Sequence, residues 1–587
     1  MELVTSLLQG AVESIVPLVV LLGLLIFVHE SGHFLIAKYN KVRVEVFSLG
    51  FGPKLLKFKR GDTVYAISAI PLGGYVKMFG DDPTSTAAVS PEDQAVSFTH
   101  KTVGQRFAIV LAGPIMNFLF AIILFAAIAM MGEQALSPVV GDVEQKSAAF
   151  AQGFRSGDQV KTVGGEPVKT WDELQSKLQA SGDRTVAVEV LRGEGSAAAA
   201  STLEVTPKLE ANKNPLSWDR SIGDIEGLSV SSKSSFVGVM DPQSPAAKAG
   251  LKSGDRIIKL NGAPITKWRE LLAAIAVASA PVSLEVERGL LNEATQEHPE
   301  IVKVDLPAPA SKDGAQALAS FGIEYPQLYL GGTEKGSPAA KAGLLPGDRL
   351  VSIDGTKVET FEQVAGTIRA YGDKIPKDVQ ASNGGFLSGL MKRSEGSQAP
   401  PLNIVISRDG SEKTIALAPN VKKRMNSSGN EERRYEIGIS PLIVDAQPAI
   451  TTLDYSNPVS VVGRGIEQTA KWTSLTFLSF VRLFQGEVSP KNVGGFFSIG
   501  AMAKKSWQIG APQFLHVMAI ISINLFVLNL LPVPVLDGGH LVFLTVEAIK
   551  GAPVSMRKME IAQQVGLVLL LGLMVFALFN DASRFLN

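Results

Sequence analysis

The sequence predicts a multi-span α-helical membrane protein with four transmembrane helices, joined to a β-hairpin and to inserted α+β modules. Three observations lead there. Four apolar segments, about 12–39, 104–131, 512–549 and 563–580, are each long enough, at about 1.5 Å per helical residue, to cross a hydrocarbon core of roughly 30 Å. The composition is mixed: 46% of the 587 residues are hydrophobic and 19% charged, with a mean hydropathy of +0.19, which suits a membrane core carrying soluble modules. Between the second and third spans, one phrase recurs three times.

The first span runs Ile15-Val16-Pro17-Leu18 to Ile26-Phe27-Val28 and enters His29-Glu30-Ser31-Gly32-His33 before its first lysine, Lys38. The second begins after Arg106. The third is interrupted by Asn529-Leu530-Leu531-Pro532-Val533-Pro534-Val535-Leu536-Asp537-Gly538-Gly539. Proline breaks helical hydrogen bonding, and irregular backbone at membrane depth survives only where it lines a cavity or is buried in protein. That break therefore marks a site. Basic residues set the orientation: Lys38, Lys41, Arg43, Lys54, Lys57, Lys59, Arg60, Lys77, Lys101 and Arg106 lie between the first two spans, and Lys550, Arg557 and Lys558 between the last two. Both loops are then cytoplasmic, and the region 132–511 lies outside, in a bacterium the periplasm of the inner membrane. Net charge is +0, so nothing draws the chain to nucleic acid. Without cysteine there is no disulfide, thiolate nucleophile or zinc knuckle. The N-terminus carries Glu2 and Glu13 and no basic leader, which reads as a retained segment.

His29 and His33 stand four residues apart, hence on one face of a helix, where two imidazoles reach one metal ion. Glu30, beside the first ligand, is placed to act as general base on water. Within a bilayer, unligated His and Glu would cost several kcal/mol, which favours a metal site over chance occurrence. A catalytic zinc usually takes three protein ligands, and Glu45 and Asp62 lie in polar sequence beyond the span. Asp537, at the break of the third span, is a membrane carboxylate in need of a cation.

The recurring phrase is clearest as Ser244-Pro245-Ala246-Ala247-Lys248-Ala249-Gly250-Leu251-Lys252-Ser253-Gly254-Asp255-Arg256. Ser337-Pro338-Ala339-Ala340 to Gly347-Asp348-Arg349 nearly duplicates it, and Ser147-Ala148-Ala149 to Gly157-Asp158-Gln159 is a looser copy. Each reads as a short helix, a glycine stop, a turn and a strand. The phrase resembles the PDZ domain in permuted bacterial form, and it gives modules at 133–210, 222–308 and 320–420. Such modules take peptide tails by strand addition to a sheet edge; a folded spacer or size filter is the other reading for any one copy. Residues 372–401, rich in Gly, Ser and Lys, read as a loop insertion. Residues 437–511, with the run 472–484, read as a periplasmic amphipathic helical segment on the membrane surface.

The His-Glu motif in the first span (residues 1–40), Asn529 to Gly538 in the third (512–550), and modules inserted after the second (104–132) together resemble the site-2 protease family over essentially the whole chain. Further strings carry the likeness: Phe47-Ser48-Leu49-Gly50-Phe51-Gly52-Pro53, Pro71-Leu72-Gly73-Gly74-Tyr75-Val76-Lys77-Met78, Gly104-Gln105-Arg106, and Ala112-Gly113-Pro114 with Asn117. The fourth span is 560–582. The resemblance implies an intramembrane zinc metalloprotease with Zn2+ held by His29, His33 and Asp537, and Glu30 as base. It implies that Asn524 and Asn529 contact substrate while Pro532 and Pro534 shape the cavity. It also implies that 41–103 holds a membrane-associated β-hairpin offering an edge strand to substrate, with Gly73 and Gly74 allowing close approach. Its expected substrates are single-span membrane proteins, such as a pre-trimmed anti-sigma factor in envelope stress signalling or remnant signal peptides, met in the lipid bilayer. The family usually carries two such modules; three here imply different regulation. A membrane scaffold binding tails through these modules, with a structural metal, is the alternative, and Glu30 argues against it because a structural site needs no base.

Overall fold

The computed structural model describes residues 2–81, 90–193, 199–290, 299–371, 401–408, 410–425, 431–442, 444–455, 457–488, 490 and 494–586. The chain divides into two units, Met1–Ala135 with Ala211–Ser221 and Thr451–Asn587, and Leu136–Glu210 with Ile222–Ile450. The loop insertion expected at 372–401 lies, but for Pro401, outside the described residues.

The first unit begins with α1 (Glu2–Tyr39), β1 (Val44–Arg60), β2 (Thr63–Met78) and α2 (Val103–Met130). β3 (Glu133–Leu136) precedes the insertion and pairs with β4 (Ile450–Leu453), which follows it; then come α3 (Pro458–Phe484), α4 (Phe496–Ile509), α5 (Ala511–Leu530), α6 (Asp537–Lys550) and α7 (Met556–Leu586). Among the described residues, four stretches are long and apolar enough to cross a bilayer: Ile15–Tyr39, Val103–Met130, Ala511–Leu530 and Arg557–Ala582. Thr102 starts α2 by a capping box with Gln105, which satisfies orphan amides at that terminus. Leu21 and Leu25 of α1, Leu124 and Phe125 of α2, and Val517, Met518 and Ile521 of α5 form one buried cluster.

The stretch 512–550 is two helices rather than one. α5 stops at Leu530, and α6 starts at Asp537; Pro532 and Pro534, lacking amide hydrogens, cannot continue the ladder. The segment expected to be helical from 437 is first extended, at Ile439–Pro441 and β4. Helix begins only at Pro458, where Asn457 accepts from the Ser460 amide and Pro458 sits in the first turn. α3 is also less of a surface helix than expected, since Thr469, Thr476 and Leu478 are buried.

The region after α1 is more than a simple hairpin, because both strands bend. Val46, Phe47, Ser48 and Leu49 each have two partners, Val64 to Ile67 on one side and Lys77 to Gly74 on the other. The outer part of β1, Lys54 to Arg60, continues along Ser68 to Thr63. Two strands thereby make a layer four segments wide. Phe34 of α1 meets the rings of Phe47 and Tyr65 edge-on, which seats this layer on the helix.

The second unit is a threefold repeat. Three four-stranded sheets have the same order: 166–167, 159–163, 186–192, 199–205; then 263–264, 256–260, 282–288, 300–306; then 356–357, 349–353, 402–408, 411–417. In each, a buried aspartate (Asp158, Asp255, Asp348) accepts a backbone amide three residues earlier and a two-point guanidinium contact from Arg192, Arg288 or Arg408. Paired this way, a buried carboxylate is no longer a liability. A returning segment closes every repeat at Gly227, Gly322 and Gly438, whose positive φ and closeness to Ser147, Ser244 and Ser337 leave no room for a Cβ. The repeats therefore extend past the expected limits 210 and 308. The third runs from Leu330 to Pro441 instead of 320–420, because 314–324 belongs to the second. The closing segments lack the repeated phrase, so their membership follows only from pairing. Residues after the third repeat run back along all three: Leu442 donates to Tyr329, Val444 accepts from Ser234, Ala446 donates to Ser232, and Ala449 accepts from Ser137.

Candidate metal centre

α1 carries His29 and His33 one turn apart, and α6 places Asp537 in its first turn. The helix break at Leu531–Leu536 turns α6 so that this carboxylate faces α1. Arg106, at the start of α2, is paired with Glu547 three turns along α6, which fixes α6 from its other end. The donor atoms of His29, His33 and Asp537 all lie within 4.8 Å of one another. Asp537 Oδ2 is 3.2 Å from His29 Nε2 and 3.6 Å from His33 Nε2, and the two Nε2 atoms are 3.2 Å apart.

The surrounding hydrogen bonds decide what those atoms are. His33 Nδ1 lies 2.9 Å from the carbonyl oxygen of Ile109; a carbonyl only accepts, so Nδ1 carries the proton and Nε2 presents a lone pair. The side chain of Asn117 is 3.2 Å from His29 Nδ1, and its Oδ1 is buried without a partner, as is Asp537 Oδ2. With Asn117 Oδ1 turned to accept from His29 Nδ1–H, His29 would offer a free Nε2 lone pair as well. Two imidazole nitrogens and a carboxylate oxygen converge there, an arrangement suited to a cation. The donor set, two imidazoles and one carboxylate, is that of a catalytic zinc with one open position. Ser522 of α5 donates to the Asn117 carbonyl at 2.8 Å, so three helices hold the imidazoles in place. Gly113 of α2 makes the space: a Cβ there would lie 2.2 Å from His33 Nε2 and 2.9 Å from His29 Cε1.

Glu30 is half-buried beside these donors. Gly74 of β2 lies against it, since a Cβ at that position would be 3.0 Å from Glu30 Cγ and 2.7 Å from Ile26 Cγ2. Gly73 instead faces the ring of Phe51. Asn524 is engaged elsewhere, its Oδ1 accepting from Thr476 of α3 at 2.9 Å. Asn529 is half-buried near the end of α5, Pro532 is exposed, and Pro534 lies against Gly566 of α7. In the sequence, Gly113 and Asn117 stand out only as parts of a motif string, and Ile109, Ser522 and Thr476 do not stand out at all. A polar asparagine inside an apolar span was the one available signal; a main-chain carbonyl acceptor leaves none.

An HExxH centre closed by an aspartate, carried on helices long and apolar enough to cross a bilayer, defines an intramembrane metallopeptidase. The model of peptidase family M50 matches residues 17–573: the chain belongs to that family, the site-2 proteases, and is an intramembrane zinc metalloprotease. It is similar to the protease RseP of Yersinia pestis, 30% identical with 97% of this chain and 98% of the relative covered. It is likewise similar to the regulator of sigma-E protease RseP of Escherichia coli, 28% identical with 96% and 97% covered. A Neisseria meningitidis protein named as a zinc metalloprotease is 30% identical, with 96% and 97% covered. A solved PDZ domain protein from Parabacteroides distasonis matches 51% of this chain and 95% of its own at 11% identity and a TM-score of 0.13, too slight a likeness to carry an argument.

Proposed function

We propose that this chain hydrolyses peptide bonds within the membrane-spanning segments of single-span proteins, with zinc held by His29, His33 and Asp537 and with Glu30 as the catalytic base. The observation that carries this reading is the convergence of three metal-type donor atoms within 4.8 Å, flanked by Glu30, on helices of membrane-spanning length. When bound, zinc supplies Lewis acidity to the scissile carbonyl and to the attacking water. Glu30 accepts the proton that water loses as it adds to the carbonyl carbon, and returns it to the amine nitrogen as the C–N bond breaks. Asn117 and the Ile109 carbonyl keep both imidazoles in the ligating tautomer.

A substrate helix must unwind before its amides are reachable, and its freed groups then need partners. The strand around Gly74 to Met78 supplies an edge next to Glu30, while Asn524 and Asn529 supply side-chain partners; Pro532 and Pro534 shape the approach. The basic residues of 38–106 and 550–558 favour a cytoplasmic position for both loops, with the repeats in the periplasm of an inner membrane. There the three repeats, read as PDZ-like, act as a size filter or hold peptide tails. Relatives named regulators of sigma-E protease favour a trimmed anti-sigma factor as one substrate, alongside remnant signal peptides. The test is cleavage of a single-span model substrate in liposomes by the unaltered chain and by Glu30→Gln. Cleavage is expected to fall by at least about 10²-fold in the variant; equal cleavage by both would sink the enzymatic role of Glu30.

A further inference from the structure

α3 is gripped from two sides at the level of one residue, Thr476. On its inner side Thr469, Trp472, Thr476 and Phe480 recur at helical spacing; both threonines are buried, and both aromatic rings pack on the cluster shared by α1, α2 and α5. Trp472 meets His516 of α5 edge-on, with ring centroids 5.6 Å apart. One turn further, the Thr476 hydroxyl donates to Asn524 Oδ1 at 2.9 Å. On its outer side α3 holds the strap formed by residues 212–220. Trp218 Nε1 donates to Ser474 Oγ at 2.9 Å and its ring stacks on Phe477. Arg482, almost wholly buried, donates to the Ser217 carbonyl at 3.2 Å and to Glu487 at 2.8 Å, and Glu487 also accepts from Arg220.

A carboxamide offers an acceptor on one side and two donors on the other, and its terminal torsion is soft. A hydroxyl donating to Oδ1 removes that freedom and turns the two N–H groups of Asn524 away from α3. We propose that Thr476 is a positioning residue for proteolysis: it holds the Asn524 amide with its N–H groups presented to a carbonyl of the unwound substrate. The 212–220 strap sets the height of α3 at which this happens. The inference rests on the reading of Asn524 as a substrate contact. It adds that the contact is adjustable from the strap, which is continuous in sequence with the strands at 208–211 and 221–224 that lead to and from it.

The test uses the full chain in liposomes with a single-span substrate, comparing the unaltered protein with Thr476→Val, Thr476→Ser, Asn524→Ala, Trp218→Ala and the Thr476→Val/Asn524→Ala pair. Valine keeps the shape and removes the donor. Its KM is expected to rise about fivefold with kcat within twofold, the loss of one neutral hydrogen bond felt as substrate binding. Serine is expected to restore KM, and the double variant to match Asn524→Ala. Trp218→Ala is expected to raise KM in the same direction. Thermal unfolding of each variant is followed in parallel; if valine lowers the unfolding temperature, the comparison with serine at equal stability still decides. Unchanged KM in Thr476→Val, failure of serine to rescue, or losses that multiply in the double variant overturn the positioning role. Normal kinetics in Trp218→Ala overturn the part played by the strap. An unaltered chain that leaves the substrate intact refutes the proteolytic reading itself, and an Asn524→Ala variant equal to it refutes only the substrate contact.

Discussion

Gly113→Ala separates the metal cradle from the fold more cleanly than removal of a ligand. The new methyl carbon would stand 2.2 Å from His33 Nε2, 2.5 Å from His33 Cε1 and 2.9 Å from His29 Cε1, where ordinary contact begins near 3.4 Å. One or both imidazoles must therefore retreat by on the order of 1 Å. Zinc–nitrogen bonds of about 2.0–2.1 Å tolerate roughly 0.2 Å, so at least one ligand is lost. Displacing supporting groups alone typically weakens a site about 10–100-fold; losing a ligand should reach or exceed the upper figure, about 2.8 kcal/mol. The helix itself should not suffer, because alanine is the better helix former by about 1 kcal/mol. The measurement is the zinc-to-protein ratio of the purified chain after equilibration with graded chelator, with thermal unfolding alongside. Expected is a chelator midpoint shifted at least a hundredfold, loss of proteolysis and retained helical structure. One zinc per chain at the unaltered midpoint would refute the cradle as drawn.

Three further outcomes follow from named contacts. Gly74→Ala drives a Cβ to within 3.0 Å of Glu30 Cγ and 2.9 Å of the Ser48 carbonyl; kcat should fall about tenfold or more through misplacement of the base, while zinc content stays at one per chain. Asp255→Ala takes the acceptor from the Lys252 amide and leaves Arg288 the Gly250 carbonyl in place of its carboxylate partner. Because the arginine is partly exposed, the cost should lie near the low end for such pairs, about 2 kcal/mol, read as faster hydrogen exchange across 245–306. Unchanged protection there refutes the role of the pair. Stripping the chain with 1,10-phenanthroline should abolish cleavage, and one equivalent of zinc should restore it to the unaltered chain but not to Asp537→Ala; recovery in that variant removes Asp537 from the ligand set.

Much of the site was legible because its chemistry is local. A histidine pair at helical spacing with an intervening glutamate, set in an apolar run, fixes a shared helix face and points to a metal-type site without any long-range information. The repeated Ser-Pro-Ala-Ala and Gly-Asp-Arg phrases likewise marked three folding units, since caps and turns are encoded within a few residues. The boundaries failed where pairing is non-local: the closing segments around Gly227, Gly322 and Gly438 contain no phrase of their own.

By itself the sequence determined the four apolar spans, the break at Pro532 and Pro534, the metal-type residues and the threefold insertion, because length, hydropathy and short motifs act over one or two turns. The tertiary structure decided what those residues do to one another. It brought Asp537 across some five hundred residues to two imidazoles, set the Ile109 carbonyl against His33 Nδ1 and the Asn117 amide against His29 Nδ1, and cleared the space at Gly113. It also tied Asn524 to Thr476 and folded the expected hairpin into a layer beside Glu30. Each of these depends on the distance between chain segments remote in sequence, a quantity that only packing fixes.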